Sequence, residues 1–236
     1  MNILIPMAGE GSRFRDKGYI FPKPFIEVNG EPMIATVIKN LNMPDARHIF
    51  LARRSHIEQY SLEEVISQHV HKYVIIPVDE KTEGAACTAL LAEDEINNNE
   101  ELLIANSDQY IEWESKNFNY VRINENLDGA ILCFESTHPK WSYVRLRQDL
   151  IFIDEVKEKV PISNIATCGI YYFKRGFDFV KSAKQMIAAN DRFNGEFYIA
   201  PVFNYLIKRG YEFVPFYVSK MHGLGTPEDL EEFLRR

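Results

Sequence analysis

The run Ile3-Leu4-Ile5 constrains the fold more than any other stretch, because it ends directly in Ala8-Gly9-Glu10-Gly11-Ser12-Arg13. Consecutive apolar strand formers suit a buried strand. The residues that follow are small or glycine, so backbone N–H groups can approach an anion with no Cβ in the way. Arg13 closes the loop with a planar cationic fork suited to phosphate. Lys23 adds a second cation between Pro22 and Pro24, whose rings restrict the local backbone. A strand, a phosphate-sized nest and two cations in one segment indicate a triphosphate site. Neither common nucleotide loop accounts for it. The third glycine of G-x-G-x-x-G would fall on Phe14, and no G-x-x-x-x-G-K-[ST] string occurs.

Beyond this loop, Pro32 to Leu41 reads as a helix with proline at its first turn, its apolar Ile34, Val37, Ile38 and Leu41 at helical spacing. A strand is expected over 48–52, a helix over 58–70, a strand over 72–78, a helix from Thr82 and a strand over 102–105. Such alternation indicates an α/β fold of Rossmann-like, three-layer type with a mostly parallel mixed sheet. Ligands then sit beyond the carboxyl ends of the strands, where the loop after Met7 lies. From residue 128 strands come at shorter intervals, over 128–135, 142–146, 150–156 and 165–173. A helix follows over 177–189, and another runs from 194–198 to Gly210. Thr226-Pro227-Glu228-Asp229 has the N-cap, first-turn proline and acidic start of a last helix.

The chain of 236 residues, with a net charge of −7, fits one domain and argues against a nucleic-acid-binding surface. Cys87, Cys133 and Cys168 stand far apart with no C-x-x-C, so a reduced, cytoplasmic setting is expected. No stretch approaches a membrane span, and no leader is expected before the first core strand.

Three further places hold candidate chemistry. Asp108 follows the apolar strand Leu102 to Ala105, where an acidic side chain marks either an ordinary turn or a metal or phosphate site. Glu158 and Lys159 end a charged strand, which reads first as a solvated face. Glu196 precedes a helix and suits its positive end.

The string G-x-G-S-R followed by P-K-P resembles the signature of the sugar-phosphate nucleotidyltransferases, also called nucleoside-diphosphate-sugar pyrophosphorylases. The resemblance extends in order from Ile3 to Leu230 and implies the nucleotide-diphospho-sugar transferase fold. It implies that Ala8, Gly9, Gly11, Ser12 and Gly84 contact the nucleotide, that Arg13 holds the β and γ phosphates, and that Lys23 holds the α phosphate. Asp108 becomes the ligand of Mg²⁺. Glu158, Lys159, Gly169 and Glu196 become acceptor contacts. The halves 1–127 and 128–236 of a single domain would then bind nucleotide and acceptor respectively. Where the family carries a second metal-binding Asp, this chain has Gly223, preceded by His222. Either Asp108 and substrate oxygens hold Mg²⁺ alone, or another carboxylate moves in.

The activity implied is transfer of a nucleotidyl group from an NTP to a phosphorylated acceptor, a sugar 1-phosphate or a small non-sugar phosphate, with release of pyrophosphate. Two other readings stand beside it: a glycosyltransferase consuming nucleotide sugars, and a non-catalytic nucleotide-sensing module. The first usually carries Asp-x-Asp, whereas Asp108 lies in Ser-Asp-Gln. The second draws on Gly223.

Overall fold

The apolar runs become the strands of one sheet, as a computed structural model covering residues 1–236 shows. In chain order the strands are β1 (Asn2–Pro6), β2 (Glu27–Val28), β3 (Glu31–Pro32), β4 (Arg47–Arg53), β5 (Tyr73–Val78), β6 (Leu102–Ala105) and β7 (Gln109–Glu112). They continue as β8 (Gly129–Glu135), β9 (Tyr143–Leu146), β10 (Ile153–Lys157), β11 (Ile165–Phe173), β12 (Phe213–Tyr217) and β13 (Lys220–Gly223). β5, β4, β1 and β6 lie side by side and parallel. β11 runs antiparallel beside β6, then come β8 and β12. The sheet is therefore mixed and mostly parallel.

Strand alternation makes this sheet the middle of three layers. Leu4, Leu102 and Ile104 pack on one face against the helices Ala85–Leu90, Gly176–Ala188 and Val202–Ile207. Ile3, Ile5 and Leu103 pack on the other against the Met33–Leu41 and Leu62–Ser67 helices. A third, small core of Phe14, Ile26, Val28, Met33, Leu224 and Leu230 ties the segment carrying Arg13 and Lys23 to the C-terminal helix Pro227–Leu234.

The helix expected over 58–70 is instead two, Arg54–Gln59 and Leu62–Ser67. The chain turns between them at Ser61, whose φ of 46° is left-handed and cannot continue a helix. Pro32 stands just before the Met33–Leu41 helix rather than in its first turn.

Two irregularities shape the site. β11 outlasts β6, pairing with it only from Ile170 onward, and beyond that point β9 takes the same flank at Ala166. The chain leaving β6 through Asn106 to Asp108 therefore emerges at a gap between β6 and β9. β7 then pairs with β13 apart from the main sheet. Asn40 anchors β7: its Nδ2 donates to the Ile111 carbonyl at 2.8 Å, and its Oδ1 accepts from the Ile111 N–H at 2.8 Å.

Ile111 is buried, so removing the Asn40 amide strands two backbone groups away from water. Asn40→Ala is expected to lose about 1–3 kcal/mol of unfolding free energy in urea. An unchanged unfolding midpoint would show that β7 is held by other means.

Candidate active site

The glycine loop is fixed from below. The Met7 N–H donates to the Leu51 carbonyl at 2.8 Å, and Arg53 Nε donates to the Ala8 carbonyl at 2.9 Å. Gly11 adopts φ +60°, and a Cβ there would meet Lys23 Cβ at 3.2 Å. Only glycine takes that conformation readily while lying so close to the lysine stem. Gly9 by contrast faces open space. Lys23 opens a short turn after Pro22, and its ammonium ion-pairs with Asp108, both side chains about three-quarters buried. The loop after β1 and the tip of β6 thus meet through opposite charges.

Gly84 has a structural duty beside its expected one. With φ +130° it lets the backbone approach Phe197, whose carbonyl would lie 2.5 Å from a Cβ. Backbone bonds from the Phe197 N–H to the Glu83 carbonyl (2.8 Å) and from the Ala86 N–H to the Phe197 carbonyl (3.0 Å) stitch the two segments. Gly169, at φ +74°, similarly makes room for the Asn106 side chain, and the Asn106 N–H donates to the Gly169 carbonyl at 2.9 Å. Each glycine permits a close approach that aims a neighbouring segment.

Three adjoining cavities result. One of about 420 Å³ is walled by Ala8, Gly9, Gly11, Ser12 and Gly84, with Glu196 and Tyr198 opposite. One of about 220 Å³ lies between Gly9, Gly11, Lys23 and Asp108. The third, about 460 Å³, contains Arg13, Asp108, Glu158, Lys159 and Gly169. Gly9 and Gly11 line the first two, and Asp108 the last two, so the cavities form one cleft.

Within the third cavity Glu158 is buried and accepts a hydrogen bond from the Ser142 hydroxyl. Burial raises its pKa above the usual carboxylate range, against the opposing pull of Ser142 and of Lys159, whose ammonium lies 3.9 Å away. Lys159 Nζ donates to the Tyr198 hydroxyl at 2.8 Å, and that hydroxyl donates to Glu196 at 2.7 Å. Glu196 therefore stands on the wall of the loop cavity and reaches Lys159 only through Tyr198. Arg13 is exposed and lines the third cavity rather than the first.

Gly223 faces the third cavity opposite Gln109 in the β7–β13 ladder. Where its side chain would begin, Asp229 Oδ2 and the Trp141 ring each lie 3.2 Å away. Asp229 also pairs with Lys140 at 2.7 Å. At Gly225 a Cβ would sit 2.7 Å from Asp108 Oδ2, so glycine keeps that carboxylate open. Gln109, which borders the cavity, donates from its buried amide to the Asn106 carbonyl at 2.6 Å, and its buried Oε1 has no hydrogen-bond partner. No three His, Cys, Asp or Glu side chains converge. Asp108 and Asp229 both border this cavity and offer oxygen donors only. That suits Mg²⁺, which takes most of its remaining ligands from phosphate and water. His222 bonds Glu112 at 2.7 Å and lines none of the three cavities.

A nucleotidyl transferase family model matches residues 3–235. The chain belongs to that family. A Sulfolobus acidocaldarius protein provisionally named mannose-1-phosphate guanyltransferase is 22% identical over 177 residues, 74% of this chain and 49% of its own length. The chain thus spans about half the length of this curated relative. Among solved structures, a nucleoside-diphosphate-sugar pyrophosphorylase from Vibrio cholerae RC9 superposes with a TM-score of 0.84 at 23% identity, covering 99% of this chain and 100% of that one. A UDP-glucose pyrophosphorylase complexed with UDP-glucose gives 0.79 at 18% identity, covering 99% and 97%. At these identities the likeness is one of fold, and it matches the three-layer architecture described above.

Sequence reasoning passed over Tyr198, Ser142, Asp229, Arg53 and the hydroxyl pair Thr82–Thr88 (2.6 Å), which bonds the Gly84 carbonyl. Tyr198 had a signal, since it follows Glu196 by two residues at the start of a predicted helix. Ser142, Asp229 and Arg53 act through contacts distant in sequence, whereas the Thr82–Thr88 pair is local to the Gly84 turn.

Glu158 gives a pH test. Its raised pKa means the folded chain keeps this proton to higher pH than the unfolded one. Stability is therefore lost as pH rises from the unfolded value through the raised one. Relative to wild type, Glu158→Gln should gain stability in urea denaturation as the pH rises above the ordinary carboxylate value, where the wild type alone must keep or lose that proton. A difference that stays constant with pH would contradict a raised pKa.

Proposed function

We propose that the chain joins an NTP to a phosphorylated acceptor, a sugar 1-phosphate foremost, and releases pyrophosphate. The observation that carries this reading is the shared position of Asp108. It pairs with Lys23 under the glycine loop and also walls the cavity that contains Glu158 and Lys159.

In this reading the base and ribose occupy the cavity beside Ala8, Gly9 and Gly84, and the phosphates follow the loop toward Lys23. The acceptor lies in the cavity of Glu158 and Lys159, with Gly169 supplying backbone. Glu158 takes acceptor hydroxyls, and the Lys159 ammonium holds the acceptor phosphate. An oxygen of that phosphate attacks the α phosphorus; the new P–O bond forms as the bond to the β-phosphate bridging oxygen breaks, and pyrophosphate departs with the electron pair. Lys23 balances charge on the α phosphate, and Arg13 balances it on the departing pyrophosphate. Chemistry of this kind rests on placement and charge compensation rather than a covalent enzyme intermediate. Asp108 would hold Mg²⁺, with Asp229 the carboxylate nearest the Gly223 position; the ion supplies charge neutralisation and orientation of phosphate oxygens.

No helix is long and apolar enough to cross a membrane. The three cysteines are free, and burial raises the thiol pKa of Cys133 and Cys168. We place the protein in the reducing cytoplasm on that ground.

The test is pyrophosphate release from each of four NTPs against a panel of sugar 1-phosphates and small non-sugar phosphates, with Mg²⁺. One NTP–acceptor pair should release pyrophosphate, and Lys23→Ala and Asp108→Ala should each lose at least ~10²-fold in turnover. Near-wild-type turnover by both variants would remove this mechanism. Nucleotide binding without release under every acceptor would favour a sensing module, and release of a nucleoside diphosphate from a nucleotide sugar would favour a glycosyltransferase.

A further inference from the structure

Tyr198 lines both the cavity beside the glycine loop and the cavity containing Glu158. Its hydroxyl accepts from Lys159 Nζ at 2.8 Å and donates to Glu196 at 2.7 Å. The Lys159 ammonium also lies 4.4 Å from the centre of the Tyr198 ring, within cation–π range. Lys159 needs such an anchor. Its backbone is left-handed at φ 51°, and its long stem has many rotamers to lose.

Tyr198 is itself held from the nucleotide side. Its neighbour Phe197 is bound through backbone at Glu83 and Ala86. Arg192 lies 4.0 Å over the Phe197 ring, ion-pairs with Glu83 at 2.5 Å and donates to the Gly195 carbonyl at 3.0 Å. The segment 192–198 is thus fastened to the start of the Ala85–Leu90 helix and reaches across the cleft with one side chain.

We propose that Tyr198 is a positioning residue: its hydroxyl sets the Lys159 ammonium at the place where the acceptor phosphate must arrive, in register with the nucleotide-side backbone. Burial and the Glu196 hydrogen bond raise the phenol pKa, so the group stays a neutral acceptor for the ammonium. The inference rests on Lys159 being the acceptor-phosphate cation.

The experiment is steady-state kinetics of the full chain with the NTP and sugar 1-phosphate pair that releases pyrophosphate fastest, using Tyr198→Phe, Lys159→Met and the double variant. Tyr198→Phe keeps the ring and removes only the hydroxyl. Its acceptor KM should rise about tenfold or more, the scale of a lost hydrogen bond to a charge, while the KM for NTP changes less than about twofold. The double variant should be no worse than Lys159→Met, because the hydroxyl acts only through the lysine. Equal rises in both KM values would mark a merely structural tyrosine and overturn the proposal. So would an unchanged acceptor KM in Tyr198→Phe, or additive effects in the double variant. If Lys159→Met itself leaves the acceptor KM unchanged, the reading of Lys159 falls; if only Tyr198→Phe is silent, that reading stands and this inference alone falls.

Discussion

Parallel pairing of β1 with β6 is the constraint from which the cleft follows. Asn2, Ile3 and Leu4 sit in register with Leu102, Leu103 and Ile104, so two strands a hundred residues apart end at the same level. The loop leaving one carries Gly9, Gly11 and Lys23, and the turn leaving the other carries Asp108. Their ion pair is only partly exposed, which strengthens the attraction between the charges but also adds a desolvation cost. Its use is therefore placement more than stability. A one-residue slip in the β1–β6 register would turn Leu4 toward the wrong core and move Asp108 away from the lysine.

The acceptor side depends on a mismatch in strand length. β11 continues beyond the end of β6, and the flank left over is taken by β9. The β9–β10 hairpin brings Ser142 and Glu158 together across that gap, and Lys159 follows immediately. Gly169 interrupts β11 at the level of Asn106, where the ladder with β8 also shifts. These features let acidic and basic groups border a cavity at the edge of an otherwise apolar sheet. The buried Glu158 pays for this position with a raised pKa, as expected of a carboxylate drawn out of water for binding.

Much of this was legible in the sequence because the strands are short apolar runs separated by helical periodicity. Ile3 to Ile5 and Leu102 to Ala105 announce themselves, and the glycine loop and Asp108 follow each directly. The expected elements include no strand at β7, β12 or β13. Gln109-Tyr110-Ile111-Glu112 mixes polar and apolar residues, and it is a strand because Asn40 and β13 hold it. Nor does local pattern reveal that Gly84 and Gly169 each clear space for a distant segment. Asp229 reads as a helix-start acid, and only the fold brings it beside Gly223 and Trp141. The order of motifs implies an acceptor role for Glu196; the fold sets it beside the glycine loop and links it to Lys159 through Tyr198.

In the proposed reading a single nucleotide is gripped by groups from the ends of β1 and β6. A crystal structure of the chain with Mg²⁺ and a non-hydrolysable NTP analogue tests it most directly. The phosphates should lie along Gly9 to Arg13, with the α phosphate on Lys23 and the metal on Asp108. A nucleotide bound with its phosphates away from Lys23 and Asp108 would contradict it.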